Sequence, residues 1–158
     1  MKTISLAIIV LILSACASPP SPVSTGQLNR NNLATAPGIT LHSMAIGEFA
    51  LQYAEAGVVG KPTIVFVHGT PGSWRSLGQL LTSTELSDKA RLISIDRPGW
   101  GGSPLQDKET EGDFAAQVKL IEPLLRKLKT ESGDKALILV GHSLGASISP
   151  YIAYMHPE

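Results

Sequence analysis

Three glycine-rich clusters hold most of the side chains in this sequence that could do chemistry. Gly141-His142-Ser143-Leu144-Gly145 places a serine between two glycines. A serine hydroxyl is well placed to attack a carbonyl when it stands on a sharp strand-to-helix turn, and flanking glycines remove the side chains that would collide there. The backbone N–H of Leu144, opening a helix, would then face a developing oxyanion with the helix dipole behind it. His68-Gly69-Thr70-Pro71-Gly72 and Asp96-Arg97-Pro98-Gly99-Trp100-Gly101-Gly102-Ser103 form the other two clusters. The first of these also reads as a Pro-Gly turn with an incidental histidine, and residues 141–145 as a plain glycine-flanked turn.

The elements needed to bring these clusters together are legible in the hydrophobic pattern. Residues 38–44 and 49–54 alternate as two strands split by Gly47, an antiparallel opening pair. Residues 63–67 and 91–95 are strands, and 63–67 and 135–140 are continuous apolar runs of the kind buried on both faces of a parallel sheet. Ser73 is expected to cap a helix carrying Trp74, Leu77, Leu80 and Leu81 on one face. Phe114, Val118, Ile121, Leu124, Leu125 and Leu128 recur at helical spacing, with Pro123 expected to kink that helix, and residues 145–155 form another. Strands separated by helices imply an α/β fold with a mostly parallel sheet and helices on both faces. Ligands sit at the carboxyl ends of such strands, so the loops after Val67, Ile95 and Val140 are the ones to inspect. All three carry a cluster.

The order of the clusters, each after its own strand, resembles the α/β-hydrolase superfamily over residues 39–158. The resemblance implies that Ser143 is the nucleophile and that Thr70 and Leu144 lend the oxyanion backbone N–H groups. It implies that His68 shapes its loop and, with Gly69 and Trp100, lines the substrate pocket. His142 is expected to point away from the serine into a packing role beside that pocket. Asp96 is expected to organise its loop as an acceptor. A serine at position 143 argues against the branches with an aspartate nucleophile, the dehalogenases and epoxide hydrolases.

In that superfamily an acid and then a histidine follow the serine. His156 lies thirteen residues after Ser143 along a helix, hence roughly 20 Å away at ~1.5 Å per residue, too far for a base. The chain is therefore expected to be the N-terminal portion of the fold, truncated after the helix that follows the serine, with the triad acid and histidine elsewhere.

At the other end, Lys2 and the apolar stretch 4–13 have the length of a signal-peptide core, well short of the ~20 residues of a spanning helix. Leu13-Ser14-Ala15-Cys16 resembles a bacterial lipobox, which implies removal of residues 1–15, lipid on Cys16 and a membrane anchor. Ala17 favours an outer-membrane address by the same resemblance. Residues 16–38 read as a Pro/Ser/Asn-rich tether.

Composition sets the outer bounds. Lys+Arg 13 against Asp+Glu 13 gives no basic excess for nucleic acid. One cysteine excludes an internal disulfide, and four histidines without paired spacing imply no metal or cofactor. The expectation is a membrane-anchored serine hydrolase with a small acyl substrate. The alternative is a non-catalytic lipoprotein or binding protein on the same scaffold.

Overall fold

The computed structural model describes residues 36–105, 112–133 and 135–156. The expected signal peptide, Cys16 and most of the tether lie outside the described residues. The tether's last three positions do not: Ala36 is buried, and its carbonyl accepts from the Ile39 N–H at 3.2 Å, closing a turn into the first strand.

Among the described residues, five strands form one sheet in the order β1-β2-β4-β3-β5. β1 (Thr40–Ile46) and β2 (Phe49–Gly57) are the expected antiparallel pair. β3 (Thr63–Val67), β4 (Arg91–Ile95) and β5 (Leu137–Gly141) run parallel, while β2 joins β4 antiparallel. The parallel register pairs Val67 with Ile95 on one side and with Gly141 on the other. The carboxyl ends of three strands are therefore level, and the three glycine-rich loops leave the sheet side by side.

Strand alternation divides the core between two faces. Val65, Val67, Ile93, Ile95, Leu137 and Leu139 pack against Val118, Ile121, Leu124, Leu128, Ile148 and Ile152. These last residues come from α2 (Phe114–Ser132) and α3 (Leu144–Met155). Asp113 caps α2 by accepting from the Ala115 N–H at 2.8 Å, and the helix continues through Pro123. On the opposite face Phe66, Leu92, Ala54 and Ala56 meet Trp74 and Leu81.

That second face is covered differently from the sequence expectation. Ser73 does cap a helical segment, with a capping box to Ser76, but the segment is a single 3₁₀ turn, Trp74–Ser76. A second 3₁₀ stretch, Gly78–Thr82, and the short α1 (Thr84–Ser87) follow. The physical reason lies in the backbone of Trp74. Its N–H donates to Asp96 Oδ1 at 2.5 Å and its carbonyl accepts from Ser94 Oγ at 2.9 Å. The N–H of this first position has no helical acceptor to lose, but the bond to its carbonyl competes with the helical ladder, and Gly78 adds the lowest helix propensity short of proline. Trp74 and Leu81 are buried, whereas Leu80 is exposed.

Candidate functional site

Ser143 occupies the turn between β5 and α3 with φ 54° and ψ −125°, the one left-handed residue other than glycine among the described residues. A side chain there is strained, and such strain persists only where the surroundings over-determine it. The surroundings do. A Cβ on Gly145 would run into the Val67 carbonyl, and one on Gly141 into the backbone of Gly145 and Ala146. The His142 N–H donates to the Val67 carbonyl at 3.0 Å, and the Gly145 and Ala146 N–H groups return to His142 and Ser143 carbonyls. Strand, turn and helix are thus stitched within five residues, leaving Ser143 exposed at the apex. Leu144, the first residue of α3, carries an N–H with no acceptor one turn back in its helix.

The second loop passes directly over this apex. A Cβ placed on Gly69 would lie 2.6 Å from Ser143 Cβ and 3.1 Å from its Oγ, so only glycine fits. Thr70 follows, exposed, with a cis bond to Pro71. The sequence-predicted nucleophile and oxyanion loop are therefore in contact.

His68 is fully buried. Its Nε2 accepts from the Arg97 N–H at 3.0 Å, which places the ring proton on Nδ1, 2.6 Å from the Gly69 carbonyl. Burial pushes its pKa down to about 4; the bond to Gly69 opposes this and the Arg97 charge adds to it. The imidazole is neutral at ordinary pH and turned into the loop, consistent with a shaping role. Trp100 stands edge-on to it at 6.4 Å, half-buried. Asp96 accepts from the N–H groups of Trp74 and Gly102 (2.8 Å) and from Gln52 Nε2 (3.3 Å), as expected of a loop organiser. Burial raises its pKa, and the two backbone donors work against that rise.

His142 departs from expectation. It is exposed, so it does not take a packing role within the described residues. His156 ends α3 with its Nε2 3.6 Å from Glu122, and His42 pairs with Glu55 at 3.2 Å. All four histidines are described, and none is hydrogen-bonded to Ser143.

The residue that the sequence reading passed over is Arg97. It is completely buried, yet donates from Nε to the His68 carbonyl (2.9 Å) and from Nη2 to the Gly69 carbonyl (3.1 Å) and Thr70 Oγ1 (2.5 Å). Its Nη1 donates to Gln117 Oε1 on α2 at 3.0 Å. A lone arginine directly after the strand 91–95, between Asp96 and Pro98 in a glycine-rich loop, was the available signal.

An α/β sheet with a strained serine at a strand-to-helix elbow and a glycine loop folded over it defines a class of hydrolase-like scaffold. Residues 64–156 match the model of the alpha/beta hydrolase family, and the chain belongs to that family. It is 29% identical over 107 residues to epoxide hydrolase 4 of Mus musculus, covering 68% of this chain and 28% of that protein. It is 37% identical over 100 residues to a probable 1-acylglycerol-3-phosphate O-acyltransferase of Oryza sativa subsp. japonica, covering 61% of this chain and 23% of that one. The fold is similar to that of epoxide hydrolase VrEH1 from Vigna radiata, with TM-score 0.65 and 23% identity over 77% of this chain and 37% of the other. The chain spans about a quarter of the length of these curated relatives.

Proposed function

We propose that this chain carries the nucleophile-bearing part of a serine hydrolase acting on a small ester or related acyl compound. The observation that carries the proposal is the left-handed Ser143, exposed at the elbow with Gly69 packed against it. In this reading Ser143 Oγ attacks the substrate carbonyl and its proton passes to a histidine. The carbonyl oxygen becomes an oxyanion held by the N–H groups of Thr70 and Leu144; its collapse, with the histidine returning the proton to the leaving oxygen, expels the alcohol and leaves an acyl-serine for water to cleave. The triad acid and histidine are assigned to the remainder of a longer protein, a reading supported by the short share of its relatives that this chain spans. Anchoring through lipid on Cys16, in a bacterial envelope, is part of the same proposal.

Similarity to an acyltransferase favours acyl chemistry, and similarity to an epoxide hydrolase supplies the competing substrate class. The test is labelling of the full-length protein by a fluorophosphonate probe. Ser143→Ala is expected to abolish it, and labelling that survives the substitution overturns the assignment. Parallel turnover of p-nitrophenyl acetate and styrene oxide separates the two substrates: epoxide opening with the ester untouched transfers the choice to the epoxide. No labelling of the wild type leaves the non-catalytic binding protein. Cys16→Ala is expected to move the protein out of the membrane fraction, and unchanged retention refutes the anchor.

A further inference from the structure

The Gly69–Thr70 peptide unit carries two groups with opposite consequences for an oxyanion. Its N–H, on Thr70, is the donor the proposed reaction uses; its carbonyl, on Gly69, would repel the same charge. In a trans peptide the two point in opposite directions, so whatever holds the carbonyl also aims the N–H. Gly69 is a residue whose backbone rotates readily, and the packing that demands glycine there denies the loop the stiffness of a side chain. Something else must prevent the peptide from turning over.

We infer that Arg97 is the positioning residue of the oxyanion loop, fixing the orientation of the Gly69–Thr70 peptide from behind. The Gly69 carbonyl faces two donors, Arg97 Nη2 at 3.1 Å and His68 Nδ1 at 2.6 Å, which occupy both of its lone pairs. The same guanidinium binds the carbonyl before it, on His68, and the hydroxyl after it, on Thr70. Three consecutive residues of the loop are thus tied to one planar group. The Arg97 N–H also donates to His68 Nε2 and thereby selects the tautomer whose Nδ1–H reaches Gly69. Gln117 secures the far side of the guanidinium to α2. The five donors of arginine lie in a fixed plane, which is what holding several acceptors at set angles requires; a lysine supplies the charge without the fork. Arg97 does not touch the reacting atoms. It acts through the peptide.

This inference rests on the serine-hydrolase reading, and the experiment separates the two. In the full-length protein, p-nitrophenyl acetate turnover is measured for Ser143→Ala, Arg97→Met and Arg97→Lys, with KM and kcat resolved and thermal unfolding recorded. Loss of one oxyanion donor costs ~100–1000-fold in kcat, so a misaimed donor in Arg97→Met is expected to cost about 10–100-fold with KM changed less than about threefold. Arg97→Lys is expected to recover part of that kcat. Activity persisting in Ser143→Ala overturns the serine reading itself. Activity lost in Ser143→Ala but kept within about twofold in Arg97→Met leaves that reading standing and overturns the positioning role. A loss that comes only from a raised KM, with kcat unchanged, also overturns it. Should Arg97→Met fail to fold, Thr70→Val, which removes a single exposed acceptor of the guanidinium, is expected to lower kcat several-fold at unchanged KM. Wild-type kcat in both Thr70→Val and Arg97→Lys then overturns the proposal.

Discussion

Two buried arginines flank one strand and are held in different ways. Arg91 begins β4, and Arg97 lies just beyond its end. Arg91 is 3% exposed and binds carboxylates, Glu55 at 2.7 Å and Glu131 at 2.5 Å, joining β4 to β2 and α2. Lys127 and His42 extend that network from its edges. Arg97 is 0% exposed, and among the described residues its guanidinium reaches two carbonyls, a hydroxyl and an amide. An ion pair links whole elements and tolerates some rotation about the charges. Bonds to individual carbonyls fix the tilt of single peptides. One end of the strand is therefore built to hold elements together and the other to aim groups, although both use the same side chain.

The sharpest way to break this contrast is Arg91→Met. It leaves Glu55, 14% exposed, and Glu131 without their shared cation, and is expected to cost about 3 kcal/mol of unfolding free energy while the folded protein keeps its kcat. Denaturant titration alongside turnover checks this; a large kcat loss without destabilisation would erase the distinction between the two ends.

Acidification addresses the other end. Folding lowers the His68 pKa from 6.5 to about 4, so between those values the unfolded chain binds the proton that the folded one refuses. The contribution is whole above pH ~6.5 and is lost as pH falls toward 4, of order 2 kcal/mol after allowance for relaxation. The Asp96 shift has the opposite sign: its raised pKa favours the folded state on the acid side. Unfolding midpoints at pH 7.5, 5.5 and 4.5 for wild type and His68→Gln are expected to show a shallower slope in the variant; parallel slopes would count against a neutral buried His68.

Smaller effects sharpen the picture. Glu55→Gln keeps a neutral acceptor for Arg91 and is expected to cost about 1 kcal/mol. Lys127→Met, which removes an i,i+4 pair with Glu131 on the half-exposed face of α2, is expected to cost below ~0.5 kcal/mol, and less in high salt.

Where the sequence was legible, burial and period carried the message. β3 and β4 span the residues expected of them, 63–67 and 91–95, and the serine elbow follows from glycine spacing after an apolar run. The segment after Ser73 was not legible, because Trp74 is tied by its backbone to Asp96 and Ser94, 22 and 20 residues away in sequence. Arg97 was missed for a related reason. Its function lies in which carbonyls it reaches, and those are set by the strand register that brings His68 alongside it. The exposure of His142 was likewise beyond a local pattern, since it depends on what covers the turn.

The backbone angles of Ser143 have one more consequence. At φ 54° a residue with a β-carbon is strained, and glycine is not. Ser143→Gly is therefore expected to give a protein that melts about 2–6 °C higher while losing its hydroxyl, whereas Ser143→Ala loses the hydroxyl and keeps the strain. If Ser143 is the nucleophile proposed above, thermal tolerance and reactivity are opposed at this one position, and a screen for heat resistance that does not also demand turnover would select the glycine variant.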